Sequence, residues 1–203
     1  MKDDEIWIGT DAGISILNPE NGNFTNIYPG KQSNGGEAPA SVWNIYEDKR
    51  HNLWFSSKNG FYTLKSKVEF VRYTTEREHP NIFFPVLEDS RNTLWVGSLG
   101  GGLMVFDRDK NTFTQAYTND IYDRTSLSDR LARSIYEDKF GVLWVGTWNG
   151  GVSKNNRMNE RFKHFRVRHI TGNSLNSNSI RSIEQNHEGK LLIGTQGGGI
   201  NVY

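Results

Sequence analysis

Three Glu-Asp pairs stand at matching places in this chain, Glu47-Asp48, Glu88-Asp89 and Glu137-Asp138. Two neighbouring carboxylates are the equipment of glycoside hydrolysis, one donating a proton while the other attacks or activates water. That chemistry needs one converging pair. A pair repeated in register points instead to a turn, because an Asp side chain accepts hydrogen bonds from backbone N–H groups two residues on. The run Asp107-Arg108-Asp109-Lys110-Asn111 opens like a calcium loop. It has Thr112 where that loop needs glycine and Thr118 where it needs glutamate, so it too reads as a turn. His51, His79, His164, His169 and His187 show no zinc-ligand spacing. Gly100-Gly101-Gly102 and Gly197-Gly198-Gly199 open strands rather than helices, which argues against a phosphate cradle. No metal and no cofactor is expected, and the segment is expected not to be an enzyme.

What positions these residues is a repeat. The stretch Ser134–Gly151, SIYEDKFGVLWVGTWNGG, recurs around Trp54, Trp95 and Leu192, and in shortened form around Trp7. A self-similar period of 41 to 49 residues between these anchors indicates a stacked array or a propeller. Each period divides into four strand-like runs. Run A is Val42–Asp48 and its counterparts, run B carries the anchor, run C is typified by Leu103–Phe106, and run D by Phe113–Tyr117. All are short, β-branched or aromatic, and bounded by Gly, Asn, Asp or Pro. Four strands per period of this length is the measure of a propeller blade. The fold expected is therefore an all-β propeller, with residues 1–203 as one segment and approximate blades at 1–29, 41–76, 82–120, 131–166 and 179–203. The chain reads BCD, ABCD three times, then ABC. Its ends duplicate rather than complement each other, which predicts about five blades with the first and last truncated, cut from a longer propeller. Between B and C, Asn59-Gly60, Gly100-Gly101, Asn149-Gly150 and Gly197-Gly198 predict two-residue hairpins with both residues at positive φ.

Against this constant frame, some positions vary. Eleven residues before the anchor stand Trp43, Phe84, Arg133 and Arg181; four residues after it stand Asp11, Lys58, Leu99, Trp148 and Gln196. In an up-and-down blade the D–A and B–C connections share one face of the disc, so these two columns meet there. Aromatic and arginine side chains at variable loop positions suit sugar stacking or anion contact. The candidate ligand-binding residues are Trp148, Arg133, Arg181 and Trp43. Trp43 and Phe84 read equally well as filling between blades.

Composition narrows the classes. The formal net charge is +1 with no block of like charge, so a nucleic-acid surface is not indicated. There is no cysteine, which excludes disulfides and Cys-ligated metals. No apolar run approaches the length that spans a bilayer, and MKDDEIWIG lacks the apolar core of a signal peptide.

The pattern Ser126–Gly151, SLSDRLARSIYEDKFGVLWVGTWNGG, resembles the two-component regulator propeller repeat, and Ser174–Gly198 repeats it more loosely. The resemblance covers essentially the whole chain. It departs at Ser56-Ser57, at Arg50-His51-Asn52, at the polar run Ser153-Lys154-Asn155 and at Leu192, which fits repeat degeneracy and carries over no invariant site. It implies seven-bladed propellers forming the periplasmic sensor part of hybrid histidine kinase/response regulators of Bacteroides type, which recognise polysaccharide breakdown products. The implied function is a ligand-sensing module binding a glycan-derived ligand, an oligosaccharide, and relaying it to a kinase that this chain does not carry. Membrane attachment would come only through the parent protein. The open strand edges at the two ends predict pairing with neighbouring blades or self-association. The alternatives are a propeller glycoside hydrolase or lyase, which would need non-repeating acids converging on one face, and a purely structural scaffold.

Overall fold

The computed structural model describes residues 5–31, 37–66, 69–75, 81–156, 161–168 and 174–203. Twenty short strands and no helix are found among them. The chain forms two compact units, Met1–Val86 and Leu87–Tyr203.

In the first unit, β1 (Ile6–Thr10), β2 (Gly13–Leu17) and β3 (Phe24–Ile27) form a three-stranded antiparallel meander. β4 (Gly30–Lys31) and β5 (Glu37–Ala38) pair as a short ribbon. β6 (Val42–Glu47), β7 (Leu53–Ser57), β8 (Gly60–Ser66) and β9 (Glu69–Tyr73) form a complete four-stranded blade. Ile14 and Ile16 of β2 pack with Val42, Phe55 and Tyr62 of this blade in one hydrophobic core. Strand β10 (Phe83–Glu88) begins in this unit and ends in the next.

In the second unit, β11 (Leu94–Ser98), β12 (Gly102–Asp107) and β13 (Thr112–Tyr117) follow β10 in sheet order. β14 (Ala132–Glu137), β15 (Leu143–Thr147), β16 (Val152–Asn155) and β17 (Lys163–Phe165) make a second complete meander. β18 (Ile180–Gln185), β19 (Leu191–Thr195) and β20 (Gly199–Val202) make a three-stranded one. The sheets agree with the run-by-run reading: A, B, C and D are successive strands of one meander. The anchor strands β7, β11 and β15 are buried along their whole length. Those of the first and last sheets, β1 and β19, are only partly so. β1 is an edge strand of its sheet among the described residues.

One device fixes the A–B turn. Oδ1 of Asp138 accepts from the backbone N–H groups of Phe140 (2.9 Å) and Val142 (3.0 Å), and Oδ2 accepts from the indole Nε1–H of Trp144 (2.8 Å). Asp48 does the same for Arg50, Asn52 and Trp54. Asp89 does it for Arg91, Thr93 and Trp95. Each carboxylate thus ties a turn to the anchor of the next strand, buried with all its hydrogen bonds made. In the last sheet Asn186 keeps the two backbone bonds, and Leu192 offers no indole to bind. The indole N–H of Trp7 is buried with no partner among the described residues. Three residues after each acid the backbone is left-handed, at His51, Asn92, Gly141 and Gly189.

The B–C turns differ from expectation. The left-handed residue is not both members of the predicted pair. Gly100 and Gly197, the first members of their pairs, are left-handed, and so is the return position, as at Gly151, where φ is 74° and a Cβ would collide with the carbonyl oxygen of Phe165. Ser98 pairs with Gly102 and Thr195 with Gly199, so these loops hold three residues, not two. A three-residue loop closing on a left-handed residue is the next most favoured hairpin.

The D–A connections are anchored rather than loose. Leu127 is fully buried, and Leu175 nearly so. Ser126 Oγ closes its loop through Asp120 and Asp123. The polar strand β16 has its explanation here: Ser153 Oγ is buried and donates to Ser128 Oγ at 2.8 Å. Part of the stretch 171–179, the C–D turn residues 157–160, and both His79 and His169 lie outside the described residues.

Candidate functional site

Three A–B pairs, β6–β7, β14–β15 and β18–β19, contain a bulge, and it falls at the same place in each. Val42 pairs with Ser57 and Asn44 with Ser56, so Trp43 is the extra residue. Ala132 pairs with Thr147 and Ser134 with Gly146, leaving Arg133 extra. Ile180 pairs with Thr195 and Ser182 with Gly194, leaving Arg181 extra. A bulged residue is unpaired, its strand bends, and its side chain is re-aimed. Three of the four candidate residues are therefore displayed by one structural device.

Hydrogen bonds join the two connections expected to share a face. In the second unit the N–H of Trp148 donates to Leu131 O at 3.1 Å, Gly151 N–H to Asn178 O at 2.9 Å, and Gln196 N–H to Ser179 O at 2.9 Å. Leu99 and Leu131 form an isolated bridge. In the first unit Lys58 N–H donates to Ala40 O at 3.2 Å. B–C loops are thus stitched to the strand A entries throughout.

In the second unit the structure brings Arg133, Trp148 and Arg181 together. The guanidinium carbon of Arg133 lies 4.2 Å from the centroid of the Trp148 ring, and that of Arg181 lies 5.2 Å from it. Both distances lie within cation–π range. Arg181 Nη2 donates to Gln196 Oε1 at 2.6 Å, so a second variable position, four residues past Leu192, fixes it. Burial, and then the charge of Arg181, hold the Arg133 guanidinium below its ordinary pKa. The indole is half-buried and already carries arginine, so it is an edge-open cation–π centre rather than a bare stacking platform.

In the first unit Trp43 stacks on Phe84, with centroids 4.9 Å apart and planes 16° from parallel. Trp43 stays 43% exposed, so the pair presents an aromatic surface as well as filling space.

The carboxylate pairs divide as structural groups. The aspartates hold turns. Glu88 meets Arg108 at 2.7 Å in a buried ion pair, Glu137 accepts from Ser90 N–H and Oγ–H at 2.6 Å, and Glu47 meets His51 at 2.7 Å. Asp107 Oδ1 accepts from the N–H groups of Asp109 and Lys110 at 3.0 Å, the turn expected of that run. No group of three or more metal-ligating side chains occurs among the described residues.

A separate cleft of about 380 Å³ in the second unit is lined by Trp144, Phe165, Arg168, Leu175 and Tyr203 among others. None of the four candidate residues lines it.

What the sequence reading missed was the bulge and the indole–carboxylate bond. The bulge had a signal in the small residues that face each other just past it, Ser134 with Gly146 and Ser182 with Gly194. The indole–carboxylate bond had one in the joint change to Asn186 and Leu192.

Residues 36–59 and 126–149 match the family model described as two component regulator propeller. A stretch of 68 residues is 38% identical to histidine kinase P4 of Formosa agariphila, covering 32% of this chain and 5% of that protein. The extracellular domain of the hybrid two component system BT3049 from B. thetaiotaomicron superposes with a TM-score of 0.76 at 24% identity, over 98% of this chain and 25% of that one. That of BT4673 from the same organism superposes at 0.80 and 20% identity, over 100% and 26%. The WD40 β-propeller domain of Doa1 superposes at 0.67 and 13% identity. The fold is a β-propeller fold, and the chain spans about a quarter of the two extracellular domains it matches.

Proposed function

We propose, on the premise that this chain carries two component regulator propeller repeats, that it is part of the ligand-sensing region of an extracytoplasmic sensor. In this reading it lies in the periplasm, binds a glycan-derived ligand, and passes the event to a histidine kinase elsewhere in the parent protein. The open edges of β1 and β20 pair with neighbouring blades or with a second copy. The observation that carries the reading is the bulged column. Bulges cluster where a sheet must aim a side chain at something other than its own core. Here the aimed side chains are an indole and two guanidiniums, the types that contact sugar rings and their substituents.

Screening of the chain against oligosaccharides by ¹H–¹⁵N spectroscopy tests this. A binder should shift the indole signals of Trp148 or Trp43 before those of Trp54, Trp95 and Trp144. A saccharide that shifts only the three buried anchors, or a screen in which none binds, would argue against it.

A further inference from the structure

We propose that the outer edge of β20 and the cleft beside it form a seat for one further strand: an extended peptide segment, neutral or acidic, with an aromatic residue opposite Tyr203 and a second opposite Ile200. This rests on the reading above only for the open edge of β20, and it says what that edge takes.

The main chain sets the seat. Tyr203 exchanges both of its backbone hydrogen bonds with Leu191, at 2.9 Å. Alternation along the antiparallel pair then turns the N–H and C=O groups of Ile200 and Val202 outward. No strand among the described residues takes up these groups. The side chains of Ile200, Val202 and Tyr203 are exposed along the same strand. Such an edge adds a strand from a partner, whose main chain supplies affinity and whose alternate side chains supply specificity.

The four sheets that carry a D strand show which side chains fit. The equivalents of Ile200 stand opposite its last large residue: Ile14 opposite Ile27, Phe61 opposite Tyr73, Leu103 opposite Tyr117, Val152 opposite Phe165. The equivalents of Tyr203 stand opposite a phenylalanine: Leu17 opposite Phe24, Leu64 opposite Phe70, Phe106 opposite Phe113. That phenylalanine also fills the space against the preceding sheet. Phe70 shares a core with Ile14 and Ile16 of β2. Phe162, just before β17, shares one with Trp95 and Leu103, and meets Tyr117 edge-on at 5.8 Å. Beside β20 the corresponding space is the cleft of about 380 Å³. Trp144, Phe165 and Tyr203 wall it, with ring centroids 5.2 to 5.7 Å apart.

Charge selects among such segments. Lys163, His164, Arg166 and Arg168 line the cleft, and no carboxylate does among the described residues. A neutral or acidic strand complements this lining, and a basic one is repelled by it.

The test titrates this chain with the capped peptide TFTQAYTND, the sequence of residues 112–120. It should shift the amide signals of Ile200, Val202 and Tyr203 and protect the Ile200 and Val202 N–H groups from hydrogen exchange. The peptides TSTQAYTND, without the phenylalanine, and TFTKAYTNK, with its charge reversed, should each bind at least about tenfold more weakly. Val202→Pro removes an edge N–H and leaves the bonds of Tyr203 to Leu191 in place, so it should weaken the first peptide by a similar factor. An unmoved Trp144 indole signal shows that this variant is folded. Equal binding of the serine or the lysine peptide, binding that leaves the β20 amides unmoved, or no binding at millimolar peptide overturns the inference. So does self-association that shifts the same amides and that the peptide does not displace, since a second copy then covers the edge. Each of these outcomes leaves the glycan reading standing, because that is read at Trp148 and Trp43.

Discussion

Oδ2 of Asp89 lies 2.6 Å from the indole Nε1 of Trp95, six residues on. The same carboxylate holds the turn between them, so the acid and the anchor act as one unit. Its equivalent, Asp138–Trp144, lies wholly in the second unit with the indole 2% exposed. Asp138→Ala removes three acceptor bonds and should cost about 2–4 kcal/mol by denaturant unfolding. In a double-mutant cycle with Trp144→Phe, the coupling should come out near 1–2 kcal/mol. Simple additivity would mean that turn and anchor are independent.

His51 occupies the left-handed position of its A–B turn at φ 60°, where Gly141 and Gly189 stand in later repeats. A Cβ there costs about 1–2 kcal/mol. Its ring contact with Glu47 is exposed and contributes little. His51→Gly should therefore stabilise the chain by about 0.5–1 kcal/mol, read as a higher denaturation midpoint. A lower midpoint would show that the Glu47 contact outweighs the strain.

Trp144 and Trp148 differ by four residues and by role. Trp144→Ala empties a buried site packed by Phe165 and Tyr203, and should cost about 3–5 kcal/mol. Trp148→Ala removes a half-buried ring and should cost under about 1.5 kcal/mol. Equal losses in melting temperature would mean that Trp148 is a packing residue.

Tyr62 is fully buried, and its hydroxyl makes no well-formed hydrogen bond among the described residues, the Asn59 side chain being only a weak polar neighbour. Burial pushes its phenol well above the ordinary value. The folded state then keeps a proton that the unfolded chain loses near pH 10, so this contribution is intact below about pH 10 and falls as pH rises further. Tyr62→Phe should raise stability at neutral pH by about 1 kcal/mol and flatten the alkaline decline. An unchanged slope between pH 10 and 11 would assign the decline to other groups.

Strand order and the buried middle anchors were legible in the sequence because the repeat prints them several times over. Asp138 and Trp144 were legible as a turn former and an anchor. Their bond was not, since spacing says nothing of which oxygen an indole reaches. The candidate cluster was legible only as two columns of variable residues, Arg133 and Arg181 in one and Trp148 in the other. Their convergence depends on a bulge, which is one residue of mismatch between partner strands and leaves no mark in either strand alone. The B–C turns were misplaced by a residue for the same reason: Gly151 and Asn149-Gly150 compete for the turn, and the return to register at Thr147 decides it.

The bulge has a consequence for how such a molecule can be altered. An ordinary strand residue is bound to its neighbours twice over, by its ladder partner and by the face to which the pleat assigns it. Trp43, Arg133 and Arg181 are released from both obligations by being supernumerary. Within one chain the same socket already accepts an indole and two guanidiniums with no change in the flanking register. A socket of that kind lets the displayed side chain change by single exchanges while the scaffold stands still, and it marks where a designer would start to alter this surface.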